Sequence, residues 1–156
     1  KTELELGGDA PAGELGLMTI GNSAQMFLAA MIFDGVFDRH PHLKTVSMEH
    51  AATWLPSWLN SLDYTSSIFG RLRKFNQSPS DTARERIKVS PFAGEPVGWI
   101  IENVGPDMLV FASDYPHPEG TNDPIRRFEA KMTNCDEATM DKFYYRNMEE
   151  LMGIQV

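Results

Sequence analysis

The sequence predicts an α/β fold with parallel strands, and three observations lead to this prediction. Segments with apolar residues at helical spacing alternate along the chain with short apolar or β-branched runs, which is typical of βαβ units. The last of these runs, 108–112, reads Met-Leu-Val-Phe-Ala without polar alternation, as expected of a strand buried on both faces of a parallel sheet. The 156 residues, of which 42% are hydrophobic, suffice for one domain with a buried core. Residues 1–156 are therefore expected to form a single domain with its helices outside the sheet.

Helices are predicted from apolar periodicity and from residues that start or stop a helix. Pro56 fits the first turn of one helix, and the pair Asp123-Pro124 combines an N-cap with proline at the first helical position. Gly105 ends the helix that precedes it. The predicted helical ranges are 22–36, 51–69, 95–104, 124–131 and 136–152.

Short strands are predicted between these helices, over 43–48, 87–89 and 108–112. Residues 1–16 and the polar stretch 76–81 are predicted as loops. Three strands are few for a complete α/β domain, so we expect the chain to be part of a larger sheet or barrel. Its outer strands would then expose unpaired edges, and we expect a homo-oligomer or contact with a missing N-terminal half.

Composition and charge exclude some classes of partner. The net charge is −8, from 22 acidic and 14 basic residues, which argues against nucleic-acid binding because basic side chains supply most of that affinity. The most apolar stretch, 26–37, is shorter than the roughly 20 residues of a membrane helix, so no membrane association is expected. The single cysteine, Cys135, excludes an internal disulfide and favours a reducing, cytoplasmic setting. A small-molecule substrate is the expected partner.

Chemically useful side chains follow two of the predicted strands, at the carboxyl ends where α/β folds place their active sites. Glu49 and His50 follow the first strand, and Asp114 follows the third. A carboxylate and an imidazole from different strand ends suit a divalent metal such as zinc or manganese. We therefore predict Asp114 as a catalytic and metal-binding residue and His50 as a second metal ligand.

Structural roles compete with these functional ones. Asp114 also fits ordinary turn chemistry, and His50 would serve equally as a hydrogen-bonded histidine at a helix start. Glu49, His117 and Trp54 are predicted to contact substrate or to support the metal ligands. In their structural alternatives, Glu49 faces solvent or bonds a loop, His117 is a loop residue, and Trp54 packs in the core.

A second histidine pair, His40 and His42, has the His-x-His spacing of zinc hydrolases. The pair precedes its strand, which places it at the opposite, stability face of an α/β barrel. We therefore do not predict a metal site there.

Four segments of the chain carry a family resemblance. Residues 35–44 (GVFDRHPHLK) lead into the first strand, and residues 49–56 (EHAATWLP) follow it. Residues 111–120 (FASDYPHPEG) contain Asp114, and residues 146–153 (RNMEELMG) end the last helix. In this order they resemble the "GvFdrfPdLK", "E-x-G-x-x-W-L-P", "f-[GA]-[ST]-D-[YW]-P-H-x-[ED]-G" and "x-N-A-x-x-L-f-G" motifs of the amidohydrolase-related family, which includes the aminocarboxymuconate-semialdehyde decarboxylase-like enzymes.

The resemblance implies a (β/α)8 barrel with one divalent metal at the carboxyl ends of its strands, of which this chain would supply the sixth, seventh and eighth. Asp114 would be the metal-binding aspartate after the last strand and a proton acceptor. His50 would be the histidine after the sixth strand, and His117 a loop histidine near the site. The family's own His-x-His, and the histidine after its fifth strand, would lie upstream of this chain. Ala51 and Ala52 stand where glycine is common in the family.

The predicted function is that of a metal-dependent hydrolase or non-oxidative decarboxylase of the amidohydrolase superfamily, acting on a small carboxylate or aromatic substrate. Zinc is the predicted metal, with manganese as the alternative. The rival prediction is a non-catalytic fragment or remnant of such a barrel, lacking the His-x-His metal site. A flavodoxin-like binding module would need a glycine-rich phosphate loop after a strand, which the sequence lacks.

Overall fold

The computed structural model describes residues 13–70, 74–115 and 121–154, and it has the predicted α/β fold. Helices and short strands alternate along the chain. The elements are α1 (Glu14–Thr19), α2 (Gly21–Phe33), α3 (Val36–Arg39), β1 (Thr45–Ser47), α4 (Leu55–Phe69), α5 (Pro79–Arg86), β2 (Ile87–Val89), α6 (Val97–Val104), α7 (Pro124–Glu129), α8 (Glu137–Asp141), a π-helical turn (Lys142–Arg146) and α9 (Asn147–Met152).

The sheet is parallel, as predicted, but its outer strands are shorter than expected. β1 and β2 pair with Thr45 opposite Ile87 and Ser47 opposite Val89. The third predicted strand joins them through a parallel bridge between Val89 and Leu109. Within the described residues, the prediction of a regular strand over 108–112 is therefore wrong, although its first half lies beside β2.

The C-terminal helix explains why this third strand is short. The N–H of Phe111 donates a 3.0 Å hydrogen bond to the carbonyl oxygen of Phe143 in the π-helical turn, instead of to a strand. The side-chain amide of Asn147, which is buried, donates 2.8 Å bonds to the carbonyl oxygens of Pro106 and Leu109. Helix backbone and side chain thus satisfy groups that a further strand would otherwise pair.

The core lies between the sheet and the helices that cross it. Ile87 and Val89 of β2 lie on the core face of the sheet. Because successive side chains of a strand point to opposite faces, Lys88 lies on the other face. Lys88 is nevertheless buried, and its ammonium donates to the Asp107 carbonyl oxygen at 2.6 Å and to the Glu150 carboxylate at 3.0 Å. The apolar residues packed around β2 include Leu55, Leu59, Leu62, Val97, Ile100 and Leu109.

The predicted loop before β2 is wrong in its second half, because α5 begins there. The hydroxyl oxygen of Ser78 accepts a 3.1 Å hydrogen bond from the N–H of Asp81, and Pro79 occupies the first helical position. Asp63 of α4 accepts bonds from both the N–H and the hydroxyl of Ser80, at 2.9 and 2.6 Å. The helix start is thereby fixed both locally and against α4.

The helices around β1 also differ from prediction at their ends. α1 begins at Glu14, inside the predicted loop 1–16. The predicted helix 22–36 breaks at Gly35, whose φ of +68° suits glycine and ends α2 before α3 begins. α4 begins at Leu55 and not at 51, because Ala51 has a φ of +56° that is incompatible with a helix.

The segment Glu14–Phe33 corrects the expectation that no stretch is long and apolar enough to cross a membrane. By length and composition this segment could cross a membrane, and 22% of its most apolar 18-residue stretch is buried in the structure. Apolar side chains such as Met18, Met26 and Phe27 are 83%, 75% and 65% exposed. One such helix is weak evidence for a membrane span, because core helices and N-terminal signal sequences pass the same test.

Candidate active-site cleft

A cleft of about 370 Å³ lies at the carboxyl ends of the three strand segments. Each segment contributes one wall, as expected for a site in an α/β fold. The lining residues are Met48 and Glu49 after β1, Ser90, Pro91, Phe92 and Ala93 after β2, and Ala112, Ser113 and Asp114 after the third segment.

Asp114 stands in this cleft with a left-handed backbone conformation. Its φ is +54°, in the left-handed region that side chains other than glycine, asparagine and aspartate rarely adopt. Its side chain is half-buried, with Oδ2 enclosed. The following N–H, of Tyr115, donates to the Ser113 hydroxyl at 3.3 Å, so this turn bond is made by the residue before Asp114 and not by the Asp114 side chain.

Glu49 lines the same cleft from the β1 side. It too has a positive φ, +61°, and Ala51 two residues on has +56°. These two left-handed residues bend the chain sharply at the end of β1. The exposed Glu49, the first acidic residue after β1 in the sequence, lies in this bend and lines the cleft that holds Asp114.

His50 lies on another side of the same loop. It lines a separate cleft of about 370 Å³ between β1 and α2, together with Val46 and Phe27. Its Nδ1 is 3.2 Å from the Ser47 hydroxyl. The structure therefore brings Glu49 and Asp114 into one cleft and does not place His50 there with them.

Trp54 fixes the loop that carries these residues and also lines a larger cleft. Its indole N–H donates to the carbonyl oxygens of His50 and Ala51, at 2.9 and 3.0 Å. Gly21 packs so closely that a Cβ there would lie 2.5 Å from the indole ring. The larger cleft, of about 710 Å³, borders α1, α2 and the loops after β1 and β2, and its wall includes Leu17, Met18, Trp54, Phe92 and Glu95.

The structure adds Glu95, which sequence reasoning placed only at a helix start. One carboxylate oxygen, Oε1, accepts hydrogen bonds from the N–H groups of Ala52 and Thr53, at 2.9 and 2.7 Å, and from the Thr53 hydroxyl. The other, Oε2, accepts from the N–H of Phe92 at 2.7 Å. The local half of this pattern, the bond from Phe92 three residues earlier, carries no capping-box signal, because Phe92 is neither Ser nor Thr and α6 begins only at Val97. The half that reaches Ala52 spans 43 residues and carries no local signal.

The remaining predicted residues lie elsewhere. His117 falls in 116–120, outside the described residues. His40 ends α3 and His42 precedes β1, at the amino end of the strand, as predicted. Among the residues that the structure describes, no group of three or more His, Cys, Asp or Glu side chains could hold a metal ion. The cleft therefore offers two carboxylates from this part of the chain.

Comparison with known proteins places these features in a family. Residues 20–154 match the model of the Amidohydrolase family. An amidohydrolase from Mycobacterium avium subsp. paratuberculosis K-10 has a similar structure, with a TM-score of 0.78 and 25% identity, over 97% of this chain and 39% of its own.

Two decarboxylases are also similar in structure. The 5-carboxyvanillate decarboxylase of Sphingomonas paucimobilis has a TM-score of 0.64 and 27% identity, over 81% of this chain and 38% of its own. The 5-carboxyvanillate decarboxylase of Novosphingobium aromaticivorans DSM 12444 was solved with manganese and 4-hydroxy-3-methoxy-5-nitrobenzoic acid. It has a TM-score of 0.70 and 24% identity, over 97% of this chain and 43% of its own. The chain thus spans about two fifths of the length of these relatives. Its match over 20–154 confirms the resemblance of its motifs, and the chain belongs to the amidohydrolase family.

Proposed function

We propose that this chain supplies part of the active site of a divalent-metal-dependent enzyme, a non-oxidative decarboxylase or hydrolase acting on a small aromatic or carboxylate substrate. The observation that carries the proposal is that Asp114 and Glu49, from two different strand ends, line one cleft. The similarity to a 5-carboxyvanillate decarboxylase at 27% identity favours decarboxylation over hydrolysis.

The donors in the cleft fit a hard or borderline divalent cation. Carboxylate oxygens suit manganese, whereas zinc more often takes nitrogen and sulfur ligands. Manganese in the Novosphingobium relative supports the same choice, so we propose manganese ahead of zinc. When bound, the metal would act as a Lewis acid toward an oxygen of the substrate. Because the described residues hold no group of three ligands, the remaining ligands would come from other parts of the protein.

Each predicted residue has a role in this proposal. Asp114 holds the metal and takes up or returns a proton at its carboxylate. Glu49, which lines the same cleft, contacts metal or substrate. His50 remains a candidate ligand from the loop after β1, although it lines the neighbouring cleft, where its Nδ1 lies 3.2 Å from the Ser47 hydroxyl. His117 and Trp54 are proposed to contact the substrate.

The same proposal includes the architecture of the whole enzyme. We propose that the three strand segments are the last three of a (β/α)8 barrel. β1 is an edge of the described sheet, and the neighbouring α1 and α2 expose apolar side chains such as Leu15, Met18 and Met26. A larger protein would cover this side with its preceding strands and helices, which removes the edge and buries the apolar face.

The test uses the complete protein that contains this chain. We expect the purified protein to bind manganese stoichiometrically and to release CO2 from hydroxylated aromatic acids. Asp114→Asn should reduce turnover by at least about 100-fold, because it removes a proton-transferring carboxylate. Asp38→Asn, an exposed carboxylate of α3 at the amino end of β1, is the matched control and should remain active. An active Asp114→Asn enzyme would contradict the assignment.

The rival function is a non-catalytic remnant. It is favoured by one observation, that the described residues bring together two cleft carboxylates without a third ligand. The two proposals predict different amounts of bound metal in the complete protein. A complete protein without manganese or zinc, and without turnover after metal addition, would support the remnant.

A further inference from the structure

Glu95 joins two of the three walls of the cleft without lining that cleft itself. Its carboxylate lies between the loop after β1 and the loop after β2. The first loop donates the N–H groups of Ala52 and Thr53 and the Thr53 hydroxyl, and the second donates the N–H of Phe92. Phe92 itself lines the cleft, and Ala52 lies three residues after Glu49.

The two oxygens of this carboxylate divide the donors unequally, and only Oε2 bonds the β2 loop. Oε1 accepts from both N–H groups of the β1 loop, at 2.9 and 2.7 Å, and Oε2 accepts from Phe92 at 2.7 Å and more distantly from Ala52 at 3.1 Å. A glutamine at this position has a single acceptor oxygen, and its amide group would present hydrogens to N–H donors. It would therefore anchor one loop at the expense of the other.

The β1 loop needs such an anchor because it contains two strained residues. Glu49 and Ala51 both have positive φ values, +61° and +56°. A left-handed conformation is unfavourable for residues other than glycine and persists only where the surroundings impose it. Trp54 holds the carbonyl oxygens of His50 and Ala51 from one side, and Glu95 holds the next two N–H groups from the other.

We propose that Glu95 is a positioning residue for catalysis, which fixes the β1 loop against the β2 loop and thereby sets where Glu49 stands opposite Asp114. The loop anchoring follows from the hydrogen bonds themselves. Its catalytic consequence rests on the proposed function of the cleft. A purely structural role would affect stability alone, whereas a positioning role also changes metal affinity and turnover in an enzyme that remains folded.

The first measurement is amide hydrogen exchange, which reads the anchoring without reference to activity. In the complete protein, Glu95→Gln should speed exchange at Ala52, Thr53 and Phe92 by about 10-fold or more, because charge-assisted bonds hold these N–H groups. The N–H of Ile100 in α6, bonded to Pro96, should keep its rate. Glu129→Gln, an exposed glutamate of α7, is the matched control and should change none of them.

The second measurement is manganese affinity and steady-state kinetics on the same variants. Glu95→Gln should weaken manganese binding or lower kcat by about 10- to 100-fold. This is the range for residues that hydrogen-bond and orient active-site groups without contacting the metal themselves. Glu95→Asp, which keeps both acceptor oxygens at shorter reach, should recover part of the loss. Glu129→Gln should behave as wild type.

A milder variant, Thr53→Val, tests the same anchoring if the Glu95→Gln protein does not fold. Thr53→Val removes one donor to Oε1 and should speed exchange at Ala52 and Thr53 but leave Phe92, which is bonded to Oε2, unchanged. Unchanged exchange at all three amides in both variants, or full activity in Glu95→Gln, would overturn the inference. A wild-type protein that neither binds manganese nor turns over would instead overturn the proposed function, and the exchange data would still decide the anchoring.

Discussion

The N–H of Phe111 donates a 3.0 Å hydrogen bond to the carbonyl oxygen of Phe143. Phe143 lies in the π-helical turn, where the N–H of Asn147 bonds Lys142, five residues back, and the helix backbone is locally widened. The two phenyl rings pack edge to face, with centroids 6.2 Å apart. The C-terminal helix thus holds the third strand segment three residues before Asp114, and the position of Asp114 depends on a helix remote from it in sequence.

Asn147 is the side-chain part of this attachment, and its removal should be strongly destabilising. Asn147→Ala would leave the buried carbonyl oxygen of Leu109 and the partly buried one of Pro106 without their 2.8 Å partners. Each such loss costs about 1–3 kcal/mol, so we expect the free energy of unfolding to fall by about 2–4 kcal/mol in urea denaturation. The control is Asn103→Ala, whose exposed amide bonds Trp99 in its own helix and which should change stability by less than about 0.5 kcal/mol.

Ala51 offers a test of the strain at the end of β1. Its φ of +56° disfavours any side chain, by about 1–2 kcal/mol, while glycine loses about 0.5–1 kcal/mol through its greater freedom in the unfolded chain. Ala51→Gly should therefore raise the free energy of unfolding by about 0.5–1 kcal/mol.

The neighbouring position gives the matched control for that variant. Ala52 is fully buried and has no positive φ, so Ala52→Gly should lower the free energy of unfolding by about 1 kcal/mol or more. If both substitutions destabilise equally in thermal and urea unfolding, the strain assigned to Ala51 is not real.

Glu150 should make stability depend on pH. Hydrogen bonding from Lys44, and secondarily from Lys88, holds the pKa of its carboxyl below the usual value, against the opposing effect of burial. Because the folded-state pKa is depressed, this contribution is fully present above the unfolded pKa of about 4.5 and is lost as the pH falls through the folded pKa. The stability difference between wild type and Glu150→Gln, measured in urea from pH 7 to pH 3, should therefore shrink in acid.

The starting point of this pH series and its control variant can also be stated. Glu150→Gln should be less stable than wild type at pH 7, since it loses its ion pairs with Lys44 and the buried Lys88, at 2.8 and 3.0 Å. Glu149→Gln, which removes the adjacent carboxyl and leaves both ion pairs of Glu150 in place, is the matched control. A stability difference that is constant from pH 7 to pH 3 would refute the role given to Glu150.

Much of the fold was open to prediction because it follows local rules. The alternation of apolar segments gave the α/β class, and β2 matches the predicted 87–89. The start of α7 after Asp123 could be predicted, because Pro124 is a proline that fits the first helical position. α5 was missed although Ser78 and Pro79 carry the same kind of signal, because its short polar sequence has no apolar periodicity.

The rest depended on contacts between distant residues. The π-helical turn adds one residue to a helical turn, and apolar periodicity is too coarse to show it. Glu95 reaches Ala52 across 43 residues. At the strand end, residue type favoured His50 as a metal ligand, and this stays a prediction. In the structure Glu49, which has a left-handed backbone, lines the cleft with Asp114, and His50 lines a separate one. The position of Asp114 in the cleft could be predicted, since it follows from a single place at the end of an apolar run; its role as a metal ligand stays a prediction.

The most direct test of the central claim is the location of a bound metal in the complete protein. Crystals grown with Mn²⁺ should show an anomalous scattering peak within bonding distance of the Asp114 carboxylate, in the cleft that Glu49 also lines. The same crystals of Asp114→Asn should lose most of that peak. A manganese peak bound only at other residues, or an equal peak in the Asp114→Asn crystals, would contradict the assignment of Asp114 as the metal-binding residue of this cleft.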